Sequence, residues 1–293
     1  MSHKHGLLIS TASLGLLLAG AALAQAPPSS VPPATVPPAT APPAAMPGPE
    51  GANRAPTLPG PPPGDTTIVT LPFTEDFESG AINTRVWDLR VNGGATIAVT
   101  HDNAAHGRNA LLAHYPAGVR GAYAFIAARL PAAVRDHLYG RAYVYIKSLP
   151  PGHTVFLNAG TRGFPISNFL EIGQSRGQFM PSFQLNGPGP DRGETTAHQG
   201  DIPMGRWFCL EWEFSDKPDR IVEWVDGVQV VDQSFAYKTV NSELVKGFAE
   251  FDIGFRAWGP ATAVTSDIDV HYDDVAISDK RIGPLTPVAG AAK

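Results

Sequence analysis

The stretch that decides the fold lies near the C-terminus and is HYDDVAISDKRIGP, residues 271–284. Apolar residues alternate at Val275 and Ile277, which predicts a β-strand with one apolar face. The alternation places Asp273 on this core-facing side, beside a second carboxylate at Asp274. A buried carboxylate costs free energy unless a charge, hydrogen-bond donors or a metal ion satisfies it. The sequence therefore raises the question of what this pair of aspartates binds.

The same alternation recurs upstream and predicts an all-β fold. In GRAYVYIKSL, residues 140–149, apolar residues share one face while Arg141, Tyr143 and Tyr145 share the other. The Asp-Gly pair in VDGV, residues 225–228, is the signal of a tight β-hairpin. Short strands at regular spacing, separated by glycine and proline, are typical of a sandwich.

Helical periodicity is nearly absent from this part of the chain. Only residues 130–140 and 242–246 have the composition of short helices. The single cysteine, Cys209, allows no internal disulfide, and the formal net charge of −5 comes with no basic cluster of the kind that binds nucleic acid. We expect a monomer whose partner is a polysaccharide or glycan rather than a nucleic acid.

The two ends of the chain predict segments outside the sandwich. Residues 1–24 have the basic start, apolar run and Ala-Leu-Ala site of a secretory signal peptide. Residues 25–64 are rich in proline and alanine, which is typical of an extended, disordered linker. The β-sandwich is predicted at 65–286 and a flexible tail at 287–293. We expect a secreted or periplasmic protein with no stable membrane insertion, because the apolar run is short for a membrane span.

The polar faces of the predicted strands combine aromatic rings with planar polar groups. Rings stack on the apolar faces of pyranose sugars, while amides, guanidinium groups and carboxylates bond the hydroxyls. This mixture predicts a sugar-binding groove, although tyrosine and arginine are also ordinary strand residues. The substrate-binding residues that we expect in the groove are Asn158, Glu171, Gln174 and Trp258.

Four segments resemble a known superfamily. They are TLPFTEDFESG (70–80), HDNAAHGRNALLAH (101–114), RWFCLEWEFSDKPDRIVEWVDGVQV (206–230) and HYDDVAISDKRIGP (271–284). In this order they resemble secreted carbohydrate-active proteins with the concanavalin A-like jelly-roll fold. They are most similar to the polysaccharide-lyase-like family first met as cellulose-induced fungal proteins and similar to glucuronan lyases. The resemblance implies a β-sandwich of two antiparallel sheets.

The resemblance also implies a structural calcium ion that ties the first strand, the following loop and the last strand together. Ca²⁺ takes six to eight oxygen ligands. Carried onto this chain, the ligands are Glu78, the backbone around His106, the side chain of Asn109, and Asp273 or Asp274. The alternative is that Asp273 caps a turn or bonds backbone amides at the edge of the sandwich.

The activity that the resemblance implies is β-elimination on uronic-acid polymers. A lyase must neutralise the substrate carboxylate and must place a base near the proton α to it. We expect Arg141 or Arg256 on the carboxylate, a tyrosine as base or acid, and Gln184 as an orienting donor. The predicted catalytic residues are Arg141, Tyr143, Tyr145, Gln184 and Arg256.

Two other functions stay open. The same groove could bind glycans without turning them over, as a lectin-like module. A retaining glycoside hydrolase needs two carboxylates about 5–5.5 Å apart. Glu211 and Glu213 share a strand face and precede Asp216, but this order interchanges the residue types of the jelly-roll glucanase signature.

Overall fold

The computed structural model describes residues 65–161, 168–185, 199–216, 219–235, 247–258 and 264–285. Within these residues the chain forms two antiparallel β-sheets that face each other, which confirms the jelly-roll sandwich. The predicted signal peptide, linker, tail and 242–246 helix lie outside the described ranges. Within those ranges, no helix is both long and apolar enough to cross a bilayer.

The first sheet, which we call the eight-stranded sheet, has the order β13-β12-β11-β6-β15-β4-β3, with β1 paired to β15. Its strands are β1 (Phe73–Glu75), β3 (Thr96–Thr100), β4 (Ala110–Tyr115), β6 (His137–Ile146), β11 (Trp207–Asp216), β12 (Asp219–Val225), β13 (Val228–Ser234) and β15 (Ile268–Ser278). The opening strand therefore lies beside the closing strand, as the resemblance implied.

The second sheet, the seven-stranded sheet, has the order β10-β9-β8-β7-β14-β5-β2. Its strands are β2 (Trp87–Asn92), β5 (Tyr123–Arg129), β7 (Thr154–Gly160), β8 (Asn168–Ser175), β9 (Gln178–Leu185), β10 (Gln199–Asp201) and β14 (Glu250–Ala257). Sequential strands from β7 to β10 pair as neighbours, while β14 returns from far along the chain to lie between β5 and β7.

The hydrophobic core fills the space between the sheets. The ring of Trp212, from β11, stacks on Phe251, from β14, with ring centroids 5.4 Å apart. Both side chains are fully buried. A Cβ atom at Gly140 would lie 2.1 Å from the Trp212 ring, so only glycine leaves room for this indole on the neighbouring strand.

Two local predictions have clear outcomes. The VDGV hairpin is confirmed, because Asp226 and Gly227 both have positive φ and join β12 to β13, as a type I′ turn requires. The helix predicted at 130–140 is wrong. Only a single 3₁₀ turn, Ala132–Val134, forms there, and β6 starts at His137.

Candidate functional site

Strand alternation leaves the sandwich with two outer faces on opposite sides of the molecule. We call them the seven-stranded face and the eight-stranded face. Asn158, Glu171 and Arg256 belong to strands of the seven-stranded sheet, whereas Arg141, Tyr143 and Tyr145 all belong to β6 of the eight-stranded sheet. The prediction that these residues line one groove is therefore wrong. Alternation tells which side of its own strand a residue takes, but not which sheet that strand joins.

The C-terminal residues 279–285 cover part of the eight-stranded face. The guanidinium of Arg141 is nearly buried and donates to the backbone oxygens of Gly283, at 3.3 Å, and Asp274, at 3.4 Å. The backbone N–H of Leu285 donates to the hydroxyl of Tyr143 at 3.2 Å. Burial raises the pKa of Tyr143. Arg141 and Tyr143 thus hold the C-terminal segment in place.

On the seven-stranded face, Arg256 is the centre of a polar cluster. Its Nη2 lies 3.3 Å from Oε2 of Glu171, and its guanidinium carbon lies 4.1 Å from the centroid of the Trp258 ring. The other carboxylate oxygen of Glu171 accepts a 2.6 Å hydrogen bond from Ser182 Oγ and lies 3.4 Å from Nε2 of His153. Burial lowers the pKa of Arg256, and the charge of Glu171 opposes this shift.

Tyr123 stands directly opposite Arg256 in the ladder between β5 and β14. It packs with Phe125 and Val155 in a small hydrophobic cluster that is separate from the main core, and Trp258 packs against that cluster. Burial raises the pKa of Tyr123, whereas the positive charge of Arg256 lowers it. The face therefore places a tyrosine, an arginine and a tryptophan together. The tyrosine is Tyr123, whereas Tyr143 and Tyr145 were predicted from the sequence.

A second polar group on this face centres on Arg90 of β2. Its guanidinium donates to both carboxylate oxygens of Glu250, at 2.7 and 2.8 Å, and to Asp252 at 3.2 Å, with Asp88 at 3.3 Å. Arg90 is 2% exposed and Asp252 is fully buried. Burial raises the pKa of Asp252 to about 8; the charge of Arg90 opposes this shift and Glu250 reinforces it.

The Arg90 group was not predicted, because no strand was predicted at residues 87–92. The signal was present, since Trp87, Leu89 and Val91 alternate and Asn92-Gly93-Gly94 follows as a turn. Alternation at these positions places Asp88 and Arg90 on the outer face.

Three buried polar atoms near Arg256 have no hydrogen-bond partner within the described ranges. They are Oδ1 of Asn158, Nε of Arg256 and Nε1 of Trp258. Asn158 pairs with Asp252 on one side and with Glu171 on the other in the strand ladders, so it lies between the two polar groups. Buried polar atoms are normally bonded, and those that are not require an explanation such as a ligand.

The two predicted glutamines have different outcomes. Gln174 is fully buried, its amide nitrogen donates to the backbone oxygens of Pro150 and Gly152, and its Oε1 accepts from the Gly177 N–H. Its amide therefore braces two turns and makes these bonds to backbone groups. Gln184 stands opposite Phe169 in the ladder between β8 and β9, and its side chain lies outside the described part of the structure.

The carboxylate of Asp273 bonds backbone amides. Oδ2 accepts from the N–H groups of Ala105 and His106, at 2.9 and 3.1 Å, and Oδ1 accepts from the N–H of Asp274 at 2.8 Å. Asp274, at φ 47°, forms a bulge in β15 and bonds Nδ1 of His106 with its own carboxylate. Burial raises the pKa of Asp273 to about 6, and the amide donors oppose the shift.

Glu78 holds the other side of the same loop. Its Oε1 accepts from the N–H groups of Arg108 and Asn109, both at 2.8 Å, and these bonds lower its pKa. A Cβ at Gly107 would lie 2.4 Å from that oxygen, so the close approach requires glycine. Glu78 and Asp273 together clamp residues 105–109 between the first and last strands.

The clamp also bears on the predicted calcium site. Within the described ranges, no three His, Cys, Asp or Glu side chains group as a metal site. However, Oδ1 of Asn109 is buried in the same place without a hydrogen-bond partner in those ranges. This orphaned acceptor, on a residue whose backbone N–H donates to Glu78, fits a hard cation that prefers oxygen ligands. Calcium therefore stays a prediction.

Comparison with known proteins gives a likeness in structure only. No protein-family model matches the sequence, and no curated protein matches it. The solved structure of "Cellulose induced protein, Cip1" is similar at a TM-score of 0.54 and 16% identity, covering 73% of this chain and all of that one. The endo-beta-1,4-glucuronan lyase from the fungus Trichoderma reesei has a TM-score of 0.49 and 17% identity, covering 70% and 94%. Together with the two antiparallel sheets, the likeness to Cip1 shows that this chain has the concanavalin A-like jelly-roll fold.

Proposed function

We propose that the protein is a polysaccharide lyase that cleaves uronic-acid-containing polymers by β-elimination on the seven-stranded face. The observation that carries the proposal is that buried polar atoms of Asn158, Arg256 and Trp258, beside Tyr123, have no hydrogen-bond partner among the described residues. The sequence resemblance to glucuronan-lyase-like proteins supports it, while the fold alone leaves the activity open.

In this proposal, Arg256 binds the carboxylate of the uronate, and Oδ1 of Asn158, which is an acceptor, receives a hydrogen bond from a sugar hydroxyl. The Nε–H of Arg256 has no partner among the described residues, so it is available to a ligand. Positive charge and hydrogen-bond donors on the carboxylate stabilise the negative charge that develops when the α-proton leaves. Trp258, whose ring lies under the guanidinium, holds Arg256 in position.

Tyr123 is the proposed proton-transfer residue. A base takes the proton on C5, the C4–O4 bond breaks as the C4=C5 double bond forms, and the departing oxygen receives a proton. A tyrosine opposite Arg256 is within reach of the same sugar as the arginine. His153, which lies beside Glu171, is the second candidate for proton transfer on this face.

A non-catalytic glycan-binding module is the second candidate, and one observation favours it. Burial raises the pKa of Tyr123, so the phenol stays protonated at neutral pH, and Glu171 already pairs with Arg256. Such a site binds a sugar without supplying a strong base. Binding and turnover must therefore be measured separately.

The test is to incubate the purified full-length protein with polyglucuronate, alginate, pectate and a neutral β-glucan. A lyase produces the ultraviolet absorbance of unsaturated uronate from a polyuronate. Tyr123→Phe should then lose at least about 100-fold in turnover while retention on the polymer persists. Tyr143→Phe, on the opposite face, is the matched control and should keep turnover.

Three outcomes overturn this assignment. Retention of a polyuronate without any product leaves the binding module as the function. A loss of turnover in Tyr143→Phe, with no loss of turnover in Tyr123→Phe, would place the active site on the eight-stranded face. Neither retention nor product on any polymer removes the carbohydrate function altogether.

We also propose that a structural calcium ion occupies the clamp around residues 105–109. Its ligands would be Glu78, Asn109 Oδ1, Asp273 and the backbone near His106. The orphaned oxygen of Asn109 supports this ligand set. The ion would stabilise the edge of the sandwich and take no part in the reaction.

A further inference from the structure

Three aromatic side chains on the eight-stranded face form a compact group. Trp207 of β11, Tyr145 of β6 and His271 of β15 stand in one row across adjacent strands. Their ring centroids lie 5.8, 5.9 and 6.3 Å apart, which makes a triangle, and all three side chains are partly exposed. We call this group the aromatic triad.

The triad is rigid before any ligand arrives. The rings meet edge to face or tilted, at interplanar angles of 52°, 81° and 68°, which are favourable aromatic geometries. The indole Nε1 of Trp207 also donates to Oδ1 of Asn103 at 3.1 Å, which fixes its orientation. Rigid aromatic side chains give up little entropy on binding, so an ordered group of this kind is well suited to hold a ligand.

The charges around the triad select the kind of ligand. Asp102 and Asp269 act electrostatically on His271, whose pKa burial lowers, so the imidazole is neutral at neutral pH. The guanidinium of Arg206 donates a hydrogen bond to the backbone oxygen of Trp207. The same guanidinium pairs with the carboxylate of Asp226 at 2.8 Å, which offsets its positive charge. The carboxylates that act on the triad are those of Asp102 and of Asp269, which also bonds His114 at 2.8 Å. Carboxylates disfavour a polyuronate but accept hydrogen bonds from sugar hydroxyls.

We propose that the aromatic triad is a second glycan-binding site, which takes a single chain of a neutral polysaccharide. Pyranose rings would stack on Tyr145 and Trp207, and His271 and the flanking aspartates would bond hydroxyls. The rings are twisted relative to one another, so they fit a free chain rather than a flat crystalline surface. The site lies on the side of the sandwich away from the seven-stranded face and does not depend on the function proposed there.

The test is affinity electrophoresis of the full-length protein in gels that contain soluble mixed-linkage β-glucan, glucomannan or polyglucuronate. The neutral glycans should retard the wild-type protein through the triad. Tyr145→Ala and Trp207→Ala should each weaken the affinity about tenfold. Tyr139→Ala removes a half-buried tyrosine from the same strand and face, outside the triad, and is the matched control that should keep the affinity.

Folding of each variant is checked by its melting temperature. If Trp207→Ala unfolds, His271→Ala and Tyr145→Ala decide, since loss in both supports the triad. The proposal fails if no neutral glycan retards the wild-type protein, or if only polyglucuronate does. It also fails if Trp258→Ala, on the other face, removes the retardation while the triad variants keep it. Lyase activity is assayed in the same variants, so failure here is distinguishable from failure of the proposed enzyme.

Discussion

The two outer faces of the sandwich come from the same alternating pattern but differ in how far their arginine–carboxylate pairs are buried. On the seven-stranded face, charged groups converge and are buried, as in the pairing of Arg90 with Glu250 and Asp252. On the eight-stranded face, the pair of Arg220 and Asp232 is open to solvent, with side chains 35% and 44% exposed. An arginine–carboxylate pair is therefore buried on one face and exposed on the other. We expect its loss to lower the free energy of unfolding more on the seven-stranded face.

This difference indicates where function is concentrated. A buried charge is costly unless it is paired and hydrogen-bonded, so a fold without a use for such groups gains nothing by keeping them. Perturbed titratable groups that cluster in one place, such as Asp252 and Arg256, are typical of functional sites. Away from the C-terminal segment, the eight-stranded face instead offers the aromatic triad and the exposed pair of Arg220 and Asp232, which suit binding.

The largest expected effect comes from removing the arginine at the centre of the buried group. Arg90→Met leaves the carboxylates of Glu250 and Asp252 buried without their cation, and should lower the free energy of unfolding by about 3–5 kcal/mol. Arg220→Met, on the eight-stranded face, breaks an exposed pair and should cost less than about 1 kcal/mol. Urea unfolding measures both. Equal losses would mean that the two faces do not differ in this way.

The next largest effect concerns turnover. Arg256→Lys keeps the charge but loses the planar fork of donors, so it should lower kcat/KM on a polyuronate at least about 100-fold, or about 2.7 kcal/mol. Arg141→Lys, beneath the C-terminal segment, should keep turnover within about twofold. Comparable losses in the two variants would contradict the placement of the site on the seven-stranded face.

The pH dependence of stability tests the buried carboxyl group. Asp252 has a pKa raised to about 8 by burial, so the native state keeps a proton that the unfolded chain loses near pH 4. Stability must then fall as the pH rises from about 4 to 8, by at most about 1.4 kcal/mol per pH unit. Asp252→Asn removes this titration, so its stability relative to wild type should grow over that window and level off above it.

Denaturation of both proteins between pH 5 and 9 checks this prediction. Asp232→Asn, on the eight-stranded face, is a control: its hydrogen bond with Arg220 lowers the pKa of Asp232, so the group is ionised throughout the window and the difference from wild type should stay nearly constant. A constant difference for Asp252→Asn as well would mean that the carboxyl group is already ionised at pH 5.

The sequence predicted the β-sandwich correctly because the signals for its strands and turns lie in short stretches of neighbouring residues. Alternation, the Asp-Gly hairpin and the closing strand each depend on neighbouring residues. The pairing of strands does not, so the sequence could not show that β6 and β14 lie in different sheets. This is why Tyr143 and Arg256 were expected in one groove, and why Tyr123, which β14 brings opposite Arg256, was overlooked.

Asp273 shows the same limit at a single residue. Its core-facing position was visible in the pattern, and the two explanations were a metal ion or backbone amides. Whether the N–H groups of Ala105 and His106 reach Asp273 depends on how the loop of residues 105–109 folds. The residue types in the loop do not reveal that conformation. The structure shows that the amides are bonded, while Oδ1 of Asn109 has no hydrogen-bond partner among the described residues, so the calcium ion stays a proposal.

The smallest expected effect is that of calcium. If the ion occupies the clamp, a concentration several times its Kd should stabilise the protein by about 1 kcal/mol, or about 2–4 °C in Tm, and a chelator should remove the gain. Asn109→Ala should abolish the calcium-dependent part, and Mg²⁺ should not replace calcium, because it demands a smaller octahedral site. An identical Tm with calcium and with chelator would mean that the amide bonds of Glu78 and Asp273 hold the loop without an ion. Any turnover on the seven-stranded face should not depend on calcium beyond this change in stability, since Asp273 of the clamp belongs to β15 of the other sheet.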